Sequence, residues 1–237
     1  MKTLFIVTAI MLSSFSAWAK THSTTQRLQA GTCVECSSAS NQAAEQLRNI
    51  RNTITADASV EDIFSINERM NFADRCENFA DEDGLGKWGN TIVTEMHRER
   101  YSQLYEGTAD LRAICPGFST LNDNGKELVW VMIINAMVHL ESSCQKGETA
   151  KGPNGTLIGL LQLHKGREGR YAQGCRNGDG NTPEGSMRCG LAMLNKQLAN
   201  DDALFSRKSY WDVLRPQARS QKYKRVQAAV RKLSICK

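Results

Sequence analysis

The sequence predicts a mainly α-helical domain that is held together by disulfide bonds. An apolar run extends from Leu128 to Leu140, several shorter stretches repeat apolar residues at helical spacing, and the chain of 237 residues contains eight cysteines. A run of this length that is apolar nearly all round is typical of a buried central helix. The helical spacing of the other apolar residues favours further helices packed around it.

Residues 1–19 have the pattern of a secretory signal peptide. Lys2 supplies the positive start, Leu4 to Leu12 form a short apolar core, and Ala17-Trp18-Ala19 offers a cleavage site between small residues. The apolar core is too short for a membrane-spanning helix, and no later segment is both long enough and free of charge. We therefore expect an exported protein, periplasmic or extracellular, without membrane insertion; an uncleaved anchor is the alternative.

All eight cysteines follow this segment, and an even number in an exported protein favours structural disulfides. The sequence leaves their pairing open, although a bond between Cys175 and Cys189 would close a Gly-rich loop. The pair Cys33-x-x-Cys36 also fits redox chemistry or half a zinc site, but no βαβ pattern and no second ligand pair follow it. The four histidines show no metal-ligand spacing, so we expect neither a metal nor another cofactor.

Residues 20–110 are expected to form a helical extension whose role the sequence does not reveal. Ser59 with Asp62 resembles a capping box that opens one of its helices. Another amphipathic stripe contains Trp88, Ile92, Val93 and Met96. Such stripes indicate helices that pack on a core.

Residues 111–237 are expected to form the main domain. Asn124, with Glu127 three residues later, predicts the N-cap of the central helix, and Glu141 lies at the other end of the apolar run. Two polar, Gly-rich segments predict loops, at residues 145–156 and 165–188. Two further helices are predicted, one from Cys189 to Ala199 and one that carries Val226, Val230 and Leu233.

Glu141 is the residue that most clearly indicates chemistry. Burial disfavours the charged form of a carboxyl group, so a glutamate at the end of an apolar helix should have a raised pKa, as a general acid requires. Eighteen residues later, Gly159-Leu160-Leu161-Gln162 offers a tight backbone and an amide side chain. These two segments predict a groove for a polar ligand between them.

A Glu-Ser pair at the end of a buried helix, followed by a polar loop and Gly-Leu-x-Gln, resembles the signature of the soluble lytic transglycosylases and goose-type lysozymes. The resemblance covers about residues 111–200 and implies a lysozyme-like fold. It also implies cleavage of the β-1,4 bond between N-acetylmuramic acid and N-acetylglucosamine, so that the partner is the peptidoglycan glycan strand. We expect the protein to be a monomer.

By this resemblance Glu141 is the general acid, and Ser142 orients the bound sugars or Glu141 itself. The residues that line the sugar groove are Gly159, Leu160 and Gln162. The family's Ala-Tyr-Asn-Ala-Gly segment is missing, and Tyr210 is the candidate replacement for its tyrosine. Tyr210 and Trp211 either stack on sugar rings or anchor the last helix to the core.

A second carboxylate decides the type of reaction, because a hydrolase needs one to position water and a transglycosylase of this family does not. Four acidic residues occupy the polar loops: Glu148, Glu168, Asp179 and Glu184. We place Glu148 first, because it follows Glu141 within one short loop, although loop carboxylates are usually solvent-exposed. A carboxylate here would alternatively favour deacetylated glycan, whose free amine is cationic.

The C-terminal segment is strongly basic, with ten Lys or Arg and one acidic residue between Arg207 and Lys237. Such a segment either binds a polyanion such as the cell wall or forms the solvated face of a helix. Export and disulfides argue against nucleic acid as the partner. The alternative to an enzyme is a non-catalytic glycan-binding protein that keeps the groove without the chemistry.

Overall fold

The computed structural model describes residues 60–237, which are mainly helical, as predicted. The helices are 60–69 (α1), Lys87–Glu99 (α2), Ser102–Glu106 (α3), Ala109–Ile114 (α4), Asp123–Ser142 (α5), Pro183–Asp201 (α6) and Tyr223–Val230 (α7). Short 3-10 helices are Asp74–Asn78, Pro116–Thr120, Glu168–Arg170, Asp179–Asn181, Asp212–Leu214 and Ser234–Cys236. The predictions for residues 1–59, including the signal peptide, Ser59 and the Cys33-x-x-Cys36 pair, lie outside the described residues.

Helix α5 is the central helix that the apolar run predicts, and every residue from Leu128 to Val138 is buried. Its N-cap is Asn122, which corrects the prediction of Asn124. Asn122 has an extended backbone, and its side-chain oxygen accepts the Gly125 N–H at 2.9 Å, whereas Asn124 already lies in the first helical turn. Glu127 is therefore free of a capping role and lies buried in the core.

Other helices pack around α5. Helices α2 and α7 both contact it, and α2 also contacts α6, so that helices on both sides of residue 110 pack together. Three residues of α2 predicted to face the core are buried, namely Trp88, Ile92 and Met96. The C-terminal stripe is buried too, at Val226, Val230 and Leu233. In residues 60–237 no helix is both long and apolar enough to cross a membrane.

Within the described residues there are three disulfides, of which two connect distant parts of the chain and one closes a local loop. They are Cys76–Cys144, Cys115–Cys236 and Cys175–Cys189. The last confirms the expected closure of the Gly-rich loop, and a closed loop of this size contributes about 3 kcal/mol in the chain-entropy treatment. Cys144 follows the end of α5 directly, so its bond fastens the part of the helix that carries Glu141.

Two small antiparallel sheets complete the fold. Ala80–Asp81 (β1) pairs with Gly84–Leu85 (β2), and a second sheet has the order β3-β4-β5, with Thr149–Gly152 (β3), Gly155–Ile158 (β4) and Leu163–His164 (β5). The loop predicted at 145–156 is thus in part a hairpin. Pro153 and Asn154 form its turn, and cross-strand hydrogen bonds order a polar segment without burying it.

Candidate active site

Glu141 is the penultimate residue of α5 and is partly buried. Burial raises the pKa of its carboxyl group to about 7. The positive charge of Lys222 opposes this rise, the negative charge of Asp212 adds to it, and Arg215 and the Val213 backbone N–H lower the pKa again. Glu141 therefore exchanges its proton near neutral pH.

The charged groups that act on Glu141 belong to the C-terminal segment. The Lys222 ammonium donates to the Leu140 carbonyl at 3.2 Å, which places it beside the end of α5. Arg215 donates to the carbonyls of Ser209 and Tyr210, and the Asp212 carboxylate accepts from the Ser220 hydroxyl at 2.9 Å. The only sequence signal for these neighbours of Glu141 is the basic composition after Arg207, and it does not link them to Glu141.

Ser142 fastens α5 to the segment that contains the predicted Gly-Leu-Leu-Gln. Its hydroxyl is buried and lies 2.9 Å from the Leu160 carbonyl oxygen and 3.1 Å from that of Val138. The hydroxyl therefore bonds to backbone. This position beside Glu141 is suited to orienting the helix end.

Gly159 and Gln162 form a tight turn behind this contact. Gly159 has φ +78°, and a Cβ there would lie 2.0 Å from the Gly180 carbonyl oxygen, so that no larger residue fits. The Gln162 amide donates to the Gly159 carbonyl at 2.8 Å and to the Glu148 carbonyl at 3.2 Å, and Leu160 is fully buried. The segment Gly159–Gln162 thus forms a firm wall next to the end of α5.

Glu148 joins the same wall through its backbone, since its carbonyl also accepts the Gly159 N–H at 2.9 Å. Its side chain is partly exposed. Among the carboxylates, Asp212 is the one whose charge contributes most to the raised pKa of Glu141. Asp212 is therefore a second candidate for a carboxylate that assists Glu141.

Two of the other loop carboxylates are buried, contrary to the expectation that they are solvent-exposed. Glu168 is fully buried and accepts the N–H groups of Gly178 at 3.1 Å and Gly180 at 3.3 Å. Asp179 accepts the Arg176 N–H at 2.7 Å and pairs with Arg188. Backbone donors of the Gly-rich loop compensate the burial of both charges. The two carboxylates therefore stabilise the folded conformation of the Gly-rich loop.

Tyr210 and Trp211 both contact the wall that residues 159–162 form. The Tyr210 hydroxyl donates to the Gln162 carbonyl at 3.0 Å, and the ring meets those of Tyr171 and Trp211 edge to face, at centroid distances of 4.9 and 5.1 Å. Trp211 is buried and donates from its indole N–H to the Leu161 carbonyl at 2.9 Å, as an anchor does. Tyr210 remains partly exposed.

Among residues 60–237, one group brings potential metal ligands close together, namely Cys175, Asp179 and Cys189. Both sulfur atoms belong to the disulfide, and Asp179 is engaged by Arg188. A disulfide sulfur is no thiolate, so this group does not hold a metal ion.

No protein-family model matches the sequence, and no curated protein matches it either. Similarity is found to solved structures of Bd0314 DslA from Bdellovibrio, in its wild-type form and in two mutants with glutamate replaced by glutamine. The TM-scores are 0.56 for the wild type and 0.55 and 0.54 for the mutants, at 22–23% identity, over 64% of this chain and 91% of DslA. This similarity shows a shared fold, and the lysozyme-like assignment stays a prediction.

Proposed function

We propose that this protein cleaves the β-1,4 glycosidic bond between N-acetylmuramic acid and glucosamine residues of peptidoglycan, with Glu141 as the general acid. The observation that carries the proposal is the pKa of about 7 for a carboxyl group at the end of the central helix, beside the Gly159–Gln162 wall. At neutral pH a substantial fraction of such a group is protonated and able to donate to a glycosidic oxygen.

The surroundings of Glu141 suit both halves of the proton transfer. Burial favours the neutral acid before the transfer. Afterwards the carboxylate is negative, and the Val213 N–H and the charges of Lys222 and Arg215 stabilise it. An acid in this setting donates its proton readily and regains a proton at neutral pH for the next turnover.

The second step requires a group that stabilises or traps the oxocarbenium-like sugar. Glu148 is the candidate from the sequence, and Asp212 is the candidate from the surroundings of Glu141. A carboxylate that positions water leads to hydrolysis. Participation by the N-acetyl group or 6-hydroxyl of the substrate, which the family resemblance implies, needs no second carboxylate and leads to an anhydro product.

The proposal is tested by incubating sacculi with the wild type and with Glu141→Gln, and by analysing the released fragments with mass spectrometry. We expect release by the wild type and a loss of at least about 100-fold in Glu141→Gln, since general acids contribute 100-fold or more. Glu127→Gln is the matched control, because Glu127 is a buried glutamate at the opposite end of the same helix. Reducing ends indicate hydrolysis and anhydro ends indicate transglycosylation.

Acetylated and deacetylated sacculi in parallel identify the preferred sugar. Cleavage that survives in Glu141→Gln contradicts the role of Glu141. Binding of sacculi without release of fragments by the wild type supports the non-catalytic glycan-binding protein instead.

A further inference from the structure

A histidine and two tyrosines form a cluster against the wall that supports Glu141. The Nδ1 atom of His164 lies 2.6 Å from the Tyr171 hydroxyl oxygen and 2.9 Å from that of Tyr210. The Tyr210 hydroxyl also donates a hydrogen bond to the Gln162 carbonyl oxygen at 3.0 Å. Three polar contacts thus meet at one ring nitrogen and two hydroxyl groups.

The protonation of His164 follows from these contacts. Burial and the charge of Arg167 lower the pKa of His164, which favours the neutral ring. If Nδ1 carried no proton, it could accept from only one hydroxyl, the other oxygen would face it lone pair to lone pair, and Nε2–H would be buried without an acceptor. Among the described residues, Nε2 indeed has no partner.

A proton on Nδ1 removes these conflicts. Nδ1–H then donates to the oxygens of both Tyr171 and Tyr210, and Nε2 is left as an unpartnered acceptor. An unpartnered acceptor is more common in buried sites than an unpartnered N–H. The Tyr210 hydroxyl still donates its hydrogen bond to the Gln162 carbonyl, and within residues 60–237 the Tyr171 hydroxyl then has no acceptor for its proton.

The Tyr171 hydroxyl, whose proton has no acceptor in the described part of the chain, belongs to a residue that solvent can reach. Its side chain is partly exposed and lines a cavity of about 280 Å³ together with Tyr210, Trp211, Lys196 and Asn200. Burial raises the pKa of Tyr171, so the phenol stays protonated and acts as a donor. Aromatic side chains with a few polar groups in a small concave site are suited to a sugar ring.

The cavity adjoins the candidate active site through Tyr210. The Tyr210 hydroxyl donates to the Gln162 carbonyl at 3.0 Å, and the hydroxyl of Ser142, the residue after Glu141, donates to the Leu160 carbonyl of the same segment at 2.9 Å. We propose that the cavity is a subsite for a neighbouring sugar of the glycan strand, in which the Tyr171 hydroxyl, positioned by His164, donates to a hydroxyl or acetamido oxygen. This inference rests on the proposed function, since it assigns a further contact with the same polymer.

The subsite is tested by binding measurements in the Glu141→Gln background, which leaves the ligand intact. The probe is soluble, peptide-free glycan strands prepared from sacculi, and affinity is measured by titration calorimetry. Tyr171→Phe is expected to weaken binding about 5-fold, which corresponds to one lost hydrogen bond. Tyr101→Phe, at another half-buried tyrosine that lines a separate cavity, is the matched control and should stay within about 2-fold.

The positioning role of His164 requires a readout that simple destabilisation does not reproduce. His164→Asn keeps an N–H donor near the place of Nδ1 and should bind like the parent, whereas His164→Leu should lose as much affinity as Tyr171→Phe. The double variant His164→Leu/Tyr171→Phe should bind no more weakly than either single variant, because both changes remove the same contact. Thermal melts exclude variants that are unfolded at the assay temperature.

Unchanged binding in Tyr171→Phe, or no binding of the strands at all in the Glu141→Gln background, overturns the subsite. Equal losses in His164→Asn and His164→Leu overturn the positioning role. Cleavage by the wild type is measured separately: a protein that binds through Tyr171 but does not cleave contradicts the proposed function and leaves the subsite standing.

Discussion

Each end of α5 carries a glutamate, of which Glu127 is buried and Glu141 partly buried, and burial raises the pKa of both, yet their surroundings differ. Glu127 is enclosed, and its carboxylate faces the Tyr105 hydroxyl at 2.5 Å and the His97 ring at 3.2 Å. Glu141 instead meets a backbone N–H and a set of charges on a separate segment. Both oxygens of Glu127 are engaged by side chains, so this carboxylate has a structural role and is committed to the fold. Glu141 keeps oxygen lone pairs that are available to a substrate.

The largest expected effect on stability concerns Glu127. Glu127→Ala leaves the Tyr105 hydroxyl and His97 without their partner and should lower the free energy of unfolding by about 2–4 kcal/mol. Urea denaturation of the disulfide-intact protein measures this loss. Glu106→Ala, at an exposed glutamate, is the control, and an equal loss in both variants would show that Glu127 is not committed to the fold.

Glu141→Gln is expected to have the opposite effect at alkaline pH. The pKa of Glu141 in the folded protein, about 7, lies above its ordinary value, so the folded state favours the protonated form. The wild type should therefore lose stability as pH rises from about 4.5 to 7, while the neutral glutamine does not titrate. At pH 8 the variant should be more stable by about 1–3 kcal/mol, and at pH 4 the two should be equal. The same difference in free energy of unfolding between variant and wild type at pH 4 and pH 8 would contradict the raised pKa of Glu141.

Lys222→Met should change the pH dependence of cleavage. The ammonium group stabilises the Glu141 carboxylate, so its removal raises the pKa of Glu141 further. The alkaline limb of the kcat/KM profile should move upward by about 0.5–1 pH unit, because the acid stays protonated to higher pH. Lys224→Met, in the first turn of the helix that Lys222 caps and exposed, should leave the limb in place; an equal shift in both variants would indicate a general charge effect.

The smallest effect distinguishes the two candidate second carboxylates. Asp212→Asn removes a negative charge that acts on Glu141 and should move the alkaline limb downward by about a few tenths of a pH unit. Glu148→Gln should not move it. A loss of rate in Glu148→Gln with an unchanged limb would support the role of Glu148 in positioning water, and a downward shift would show that its charge also reaches Glu141.

The parts of the site that could be predicted are those that local sequence determines. The apolar run from Leu128 predicts α5. The position of Glu141 at the end of this helix follows from the run alone and does not depend on how the rest of the chain folds. The groups opposite Glu141, such as Lys222, come from far along the chain, and no periodicity links them to it. Glu168 was misjudged for a related reason, since glycine N–H groups can satisfy a buried carboxylate without a sequence signal.

The bond between Cys115 and Cys236 also bears on resistance to proteases. It makes a covalent ring of the chain from residue 115 to residue 236, and this ring contains both α5 and the segment that carries Lys222. A single cut anywhere inside the ring, for example in the exposed turn at Asn154, leaves the two fragments joined. The two sides of the candidate active site thus remain one covalently joined molecule after nicking.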